Sequence, residues 1–169
     1  MNIQEQIAAN RNFCKSPFAE ERELSDQQKR LPQPPLCKPA QSELRIPLSR
    51  DFHSVITETD FFTILQKRTS QRFYRDEAMT LEQLSFLLWA TQGVKSIRGI
   101  HYATLRPVPS GGARHAFETY LAVRKVTGLS AGVYHYLPLE HALEPIGPLE
   151  NPQEQITAAM HGQKWAGNC

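Results

Sequence analysis

"TLEQLSFLLWATQG", residues 80–93, decides how the rest of the chain is read. Thr80 and Gln83 stand at capping-box spacing, where the hydroxyl accepts from an early amide and the Gln side chain reaches back. Leu84, Leu87, Leu88 and Thr91 fall at i, i+3, i+4 and i+7, the spacing of one helical face, and Gly93 is placed as the C′ residue. The stretch therefore predicts an amphipathic helix, with Trp89 partly buried in a core or an interface. Such a helix needs an apolar surface to lie on, and the residues downstream offer one.

"FETYLAVRKV" (117–126) reads as a strand, "GLSAGVYHYLP" (128–138) as a turn and a second strand, and "HALEPIG" (141–147) as a third, short one. Tyr134 and Tyr136 alternate with His135, which predicts packing on a sheet face more than a stack for a substrate. Asn151 or Pro152 begins another helix, with Gln155, Ile156, Ala159 and Met160 along it. Upstream, "DFFTILQKR" (60–68) offers Asp60 as an N-cap, then Phe61, Phe62, Ile64 and Leu65, and basic residues in the last turn where the helix dipole favours them. Residues 1–50 differ: they are polar, and "RLPQPPLCKP" (30–39) carries four prolines in ten residues. Proline fixes φ and removes donors, so this stretch is expected to be extended, as a linker or a strap over a surface, with a recognition motif for a proline-binding module as the alternative. The chain thus divides into a polar extension, 1–50, and a globular part, 51–169. No internal repeat is visible.

Composition narrows the function. At 169 residues the chain can bury a core, and its formal charge of +2 demands neither nucleic acid nor an anionic membrane. Lys67, Arg68, Arg72 and Arg75 do not make a broad basic face, and no aromatic platform for bases accompanies them. No apolar run approaches the ~18 residues of a membrane span, and the polar N-terminus lacks the apolar core of a secretory signal. Cys14, Cys37 and Cys169 are an odd, widely spaced set without CxxC, which predicts free thiols and a cytoplasmic setting.

Two segments carry chemistry. In "QKRTSQRFYR" (66–75), Arg68, Ser70 and Arg72 alternate, so in extended backbone they share one face. Two guanidiniums and a hydroxyl suit a phosphate monoester; the alternative is the solvated basic end of a helix. In "RPVPSGGARHAFETY" (106–120), Pro109 fixes the entry to a loop in which Ser110, Gly111 and Gly112 leave the main chain open to a flat or phosphorylated ligand. A plain tight turn is the alternative. Neither GxxxxGK[ST] nor GxGxxG occurs. Arg114 and His115 follow the loop as further contact candidates or as a surface pair. His135 and His141 lack helical spacing and a third ligand, so no metal site is expected. Glu118 and Glu140 show no paired-carboxylate geometry.

Taken in order, these elements resemble the nitroreductase family of flavoproteins, and within it the SagB-type, thiazole/oxazole-forming dehydrogenases. Arg68, Ser70 and Arg72 match the family's R-x-S-x-R segment; Pro109, Ser110 and Gly112 match its P-S-x-G element. "LSFLLWATQG", "ARHAFETYL" and "GVYHYLPLEH" are also similar to family sequence, and the likeness runs over about residues 24–169. The resemblance implies an α+β fold, an antiparallel sheet flanked by helices, and an intertwined homodimer with FMN at its interface. It implies that Arg68, Ser70 and Arg72 grip the FMN phosphate and that Pro109, Ser110, Gly111 and Gly112 shape the floor under the flavin. It implies an oxidoreductase passing electrons from NAD(P)H or from a substrate, by nitro or quinone reduction or by azoline dehydrogenation. No catalytic side chain is identified.

The family domain is longer than this chain. "HGQKWAGNC" (161–169) reads as the approach to another core strand, and the resemblance implies an interrupted reading frame, a fragment completed by another chain, or an incomplete sequence. An inactive fragment, or a binding or dimerisation module of the same fold, is the alternative function.

Overall fold

The computed structural model describes residues 2–13, 24–100 and 102–169; Cys14 lies outside them. The chain forms two compact units, Met1–Pro34 and Pro35–Cys169. The first contains a helix, α1 (Ile3–Phe13), where the sequence predicted only a polar extension. Asn2 and Glu5 cap it reciprocally, the Glu5 amide donating to Asn2 Oδ1 at 2.9 Å and the Asn2 amide to Glu5 Oε2 at 2.8 Å. That local device starts a helix without an apolar face.

The second unit is α+β. Its main sheet is antiparallel, in the order β1 (Ile46–Pro47), β6 (Ala142–Pro148), β5 (Gly132–Leu137), β4 (Tyr120–Val123). A second, two-stranded sheet joins β2 (Ser96–Arg98) and β3 (Ala103–Leu105). The helices are α2 (Phe61–Lys67), α3 (Leu81–Gln92), α4 (Pro152–Ala159) and α5 (Lys164–Gly167). None of the described helices is long and apolar enough to cross a membrane.

Helix α3 forms as its sequence predicts. Thr80 and Gln83 make both arms of the capping box. The buried stripe is Leu84, Ser85 and Leu88, whereas Leu87 is half exposed and Thr91 turns its hydroxyl back on the Leu87 carbonyl. Gly93 closes the helix, but in extended backbone (φ −60°, ψ 141°) and not in the left-handed form expected of a C′ glycine. It is needed for room: a Cβ there would stand 2.6 Å from Trp89 Cδ1 and 2.7 Å from the Trp89 carbonyl oxygen. Trp89 is half-buried beside Phe52, with ring centroids 5.2 Å apart.

Strand alternation sorts the sheet into two faces of different chemistry. Tyr134, Tyr136 and Leu143 face the core with Leu84, Leu88, Val123 and Leu48. On the opposite face, register places Tyr120 beside His135 and His135 beside Glu144. The third strand has the length of its sequence signal, shifted by one residue, and the first is shorter, beginning at Tyr120. The expected strand approach at 161–169 is instead the turn of α5. Gly167 packs so closely on α4 that a Cβ would stand 2.5 Å from the Gln153 carbonyl oxygen.

Candidate functional site

Asp60 caps α2 as expected, accepting from the Thr63 amide at 2.8 Å, and the chain leaves the helix at Arg68 in extended backbone. Arg68, Ser70 and Arg72 are all exposed. The side chains of Arg68 and Ser70 hydrogen-bond to no other described residue, and the Arg72 guanidinium lies over the Trp165 ring, 5.9 Å from its centroid. Charge and hydroxyl are therefore available to an anion at this helix exit.

The second segment is a loop with a short 3₁₀ turn at Gly111–Ala113. Gly112 (φ 62°), Ala113 (φ 55°) and His115 (φ 46°) all take left-handed backbone, costly for the two that carry a Cβ. Ser110 stabilises the bend twice, its carbonyl accepting from the Ala113 amide at 3.0 Å and its hydroxyl from the His115 amide at 2.9 Å. The amides of Gly111 and Gly112 donate to no described group, and a Cβ at Gly111 would meet nothing within 4 Å. The loop thus presents open main chain, as a flat ligand requires. Arg114 lies over the Tyr102 ring at 5.1 Å. Among the described residues no hydrogen bond, ion pair or ring contact joins 109–112 to 68–72.

A groove of about 920 Å³ runs beside the edge strand β4. Leu84, Leu87, Leu121, Val123, Met160 and Trp165 give it apolar walls, with Arg75, Arg124 and Lys125 at its rim. Arg124 donates to the Asn168 carbonyl at 2.8 Å, and Lys125 pairs with Asp76.

The two sheet histidines are both committed inside the fold. The Ser85 hydroxyl donates to the Ser49 carbonyl at 2.6 Å, so at 2.9 Å it accepts from His141 Nε2–H. His141 Nδ1 is then left to accept from the Tyr136 hydroxyl at 2.7 Å. Burial pushes Tyr136 up to about 12 and holds His141 below its ordinary range, with the Arg50 charge adding to the latter. All three side chains are buried, so this serine–histidine pair is a polar core with no path to a substrate.

His135 lies between two carboxylates, Nδ1 3.4 Å from Glu144 Oε2 and Nε2 3.3 Å from Glu118 Oε2, with Tyr120 stacked on its ring at 4.6 Å. Because its nitrogens point to opposite sides, these groups cannot converge on one ion; no metal-binding cluster occurs among the described residues. Sequence reading set Glu118 aside and did not single out Glu144. Glu140 pairs with Arg45 at 2.7 Å.

No protein-family profile matches the chain. A protein of Methanocaldococcus jannaschii named "Putative nitroreductase" is 38% identical over 105 residues, 62% of this chain and 50% of that protein. The trifolitoxin-processing protein TfxB of Rhizobium leguminosarum bv. trifolii is 50% identical over 42 residues, 24% of this chain and 11% of that protein. The chain thus spans half the length, or less, of these curated relatives. Over more than half of its own length it is similar to a protein named as a nitroreductase, in agreement with the resemblance carried by its motifs.

Proposed function

We propose that this chain is, or forms part of, an FMN-dependent oxidoreductase of the nitroreductase/SagB-like type. The observation that carries the reading is the presence, in one chain, of an exposed R-x-S-x-R helix exit and of a loop whose two glycine amides donate to no described group, in a chain similar to a protein named as a nitroreductase. Arg68 and Arg72 would hold the phosphate by bidentate, charge-assisted hydrogen bonds, and Ser70 would add a donor. Pro109 sets the entry of the loop. Gly111 and Gly112 leave room for a ring and offer it two amides, which favour negative charge developing at a ring carbonyl. FMN, when bound, supplies the electron transfer, accepting from NAD(P)H or from a substrate such as a peptide azoline.

The functional unit would be a cytoplasmic homodimer. Helix α2, with Phe61, Phe62, Ile64 and Leu65 all exposed and no residue buried, supports association of two copies.

The test is Arg72→Ala. FMN affinity, read by quenching of flavin fluorescence, falls by about tenfold or more, as loss of a charge-assisted contact implies, while the melting temperature without flavin stays within about 2 °C, as for an exposed substitution. Equal affinity in variant and parent overturns the assignment. A colourless protein that cannot be reconstituted favours the binding module.

A further inference from the structure

The glycine loop is bracketed by Arg106 and Glu118, and both ends are tied to one short segment at the end of the proline-rich stretch. Cys37 Sγ accepts from Arg106 Nη2 at 3.4 Å, and the Lys38 amide donates to Glu118 Oε1 at 2.8 Å. Arg106 is itself buried and fixed, with Nε on Thr104 Oγ1 at 3.1 Å and Nη1 on Gln92 Oε1 at 2.9 Å. Three residues on, the same segment is pinned again. Glu144, fully buried, accepts the Gln41 and Ser42 amides on Oε1 at 2.6 Å each.

The two carboxylates are used alike. Each gives one oxygen to the amides of segment 37–42 and turns the other toward a ring nitrogen of His135. The imidazole bridges them, Tyr120 stacks on the imidazole, and the Tyr120 hydroxyl accepts from Lys38 Nζ at 2.7 Å. A buried carboxylate with two amide donors is a strong anchor, since charged acceptors bind donors about twice as tightly as neutral ones.

We infer that segment 37–42 is a positioning strap for the glycine loop, anchored on the Glu144–His135–Glu118 bridge. The loop itself makes few internal hydrogen bonds and contains three left-handed residues within four positions, Gly112, Ala113 and His115. Holding both of its ends removes conformational freedom that a ligand would otherwise have to remove on binding. Glu144, His135 and Glu118 are thus positioning residues for 109–112. The consequence for cofactor affinity rests on the FMN reading; the coupling of strap to loop does not.

Amide hydrogen exchange on the full chain tests the coupling with Glu144→Gln, which keeps shape and removes charge. Exchange at Gln41 and Ser42 is expected to rise by about tenfold, the equivalent of one charged hydrogen bond. Exchange across 110–117 rises in the same direction and by more than at the α3 amides, whereas a general loss of stability would raise both alike. Tyr120→Phe, which removes only the tie to Lys38 Nζ, gives a smaller rise at Lys38 and in the loop, and carries the comparison should Glu144→Gln not fold. Faster exchange in the strap with an unchanged loop overturns the inference, and so does an unchanged strap in Glu144→Gln. In parallel, FMN titration of parent and variant separates the two ideas: weaker binding in the variant supports positioning, and a parent that takes no FMN removes the flavin reading while the exchange result still decides the coupling.

Discussion

Glu144 and His141 stand three residues apart, and each makes stability depend on pH in the same sense over a different window. Burial would raise the Glu144 carboxyl, but the Ser42 and Gln41 amides and the His135 side chain outweigh it and hold the group below its ordinary range. Its folded value is depressed, so the stability it contributes is present above 4.5 and is lost as pH falls further. His141, depressed by burial and the Arg50 charge, resists protonation in the fold; the unfolded chain takes up its proton first, so stability declines as pH falls below 6.5. A series of urea midpoints from pH 8 to 3 should therefore show two descending limbs. His141→Asn, which suits the left-handed backbone at this position (φ 52°), makes the upper limb shallower without removing it, because burial and the Arg106 charge hold His115 low as well. Glu144→Gln makes the lower limb shallower without removing it, because Asp60, Glu58 and Asp76 are also held low by their hydrogen-bond partners. Gly93 makes a third prediction at this scale. Gly93→Ala has no clearance over Trp89, so it should destabilise by about 1–3 kcal/mol in chemical denaturation despite its better helix propensity.

Among the elements, legibility followed the range of the interactions that build each one. α2 and α3 were readable because cap, period and stop lie within fourteen residues; Asp60 and Thr80 announce them. β5 was readable from its β-branched and aromatic content and the turn before it, and β6 as a short strand following it. β2 and β3 were not, since Ser96, Ile97 and Arg98 are all exposed and show no alternation. α5 was missed, its residues being read as the approach to a strand, because what makes it a helical turn is the close fit of Gly167 on α4, a contact invisible in a local window. The candidate site divides in the same way. R-x-S-x-R and P-S-G-G were visible as local patterns, but the role of Glu144 was not, because the amides it holds lie more than a hundred residues earlier. A charged residue in the middle of "HALEPIG" was the available signal: inside a buried strand it has to be paired. α2 makes its own prediction. Since none of its residues is buried, on the proposed homodimer Phe62→Asp should shift sedimentation from dimer toward monomer while changing unfolding free energy by no more than about 0.5 kcal/mol.

At the scale of the whole molecule, the main sheet is covered in two unlike ways. α3 lays leucines on one face, and a strap of irregular backbone is bound to the other through carboxylates and an imidazole. The first cover depends on area removed from water and the second on a few named atoms, so they respond to different insults: cavity-forming substitutions weaken the former, and acid or loss of a carboxylate weakens the latter. This two-sidedness bears on how the β5–β6 hairpin finds its pairing. A slip of one residue would deliver Glu144 among leucines and bring Leu143 beneath the backbone amides of Gln41 and Ser42. The misaligned hairpin is thus penalised twice, by a stranded charge and by orphaned donors, and the native alignment is selected by chemistry on both sides of the ribbon.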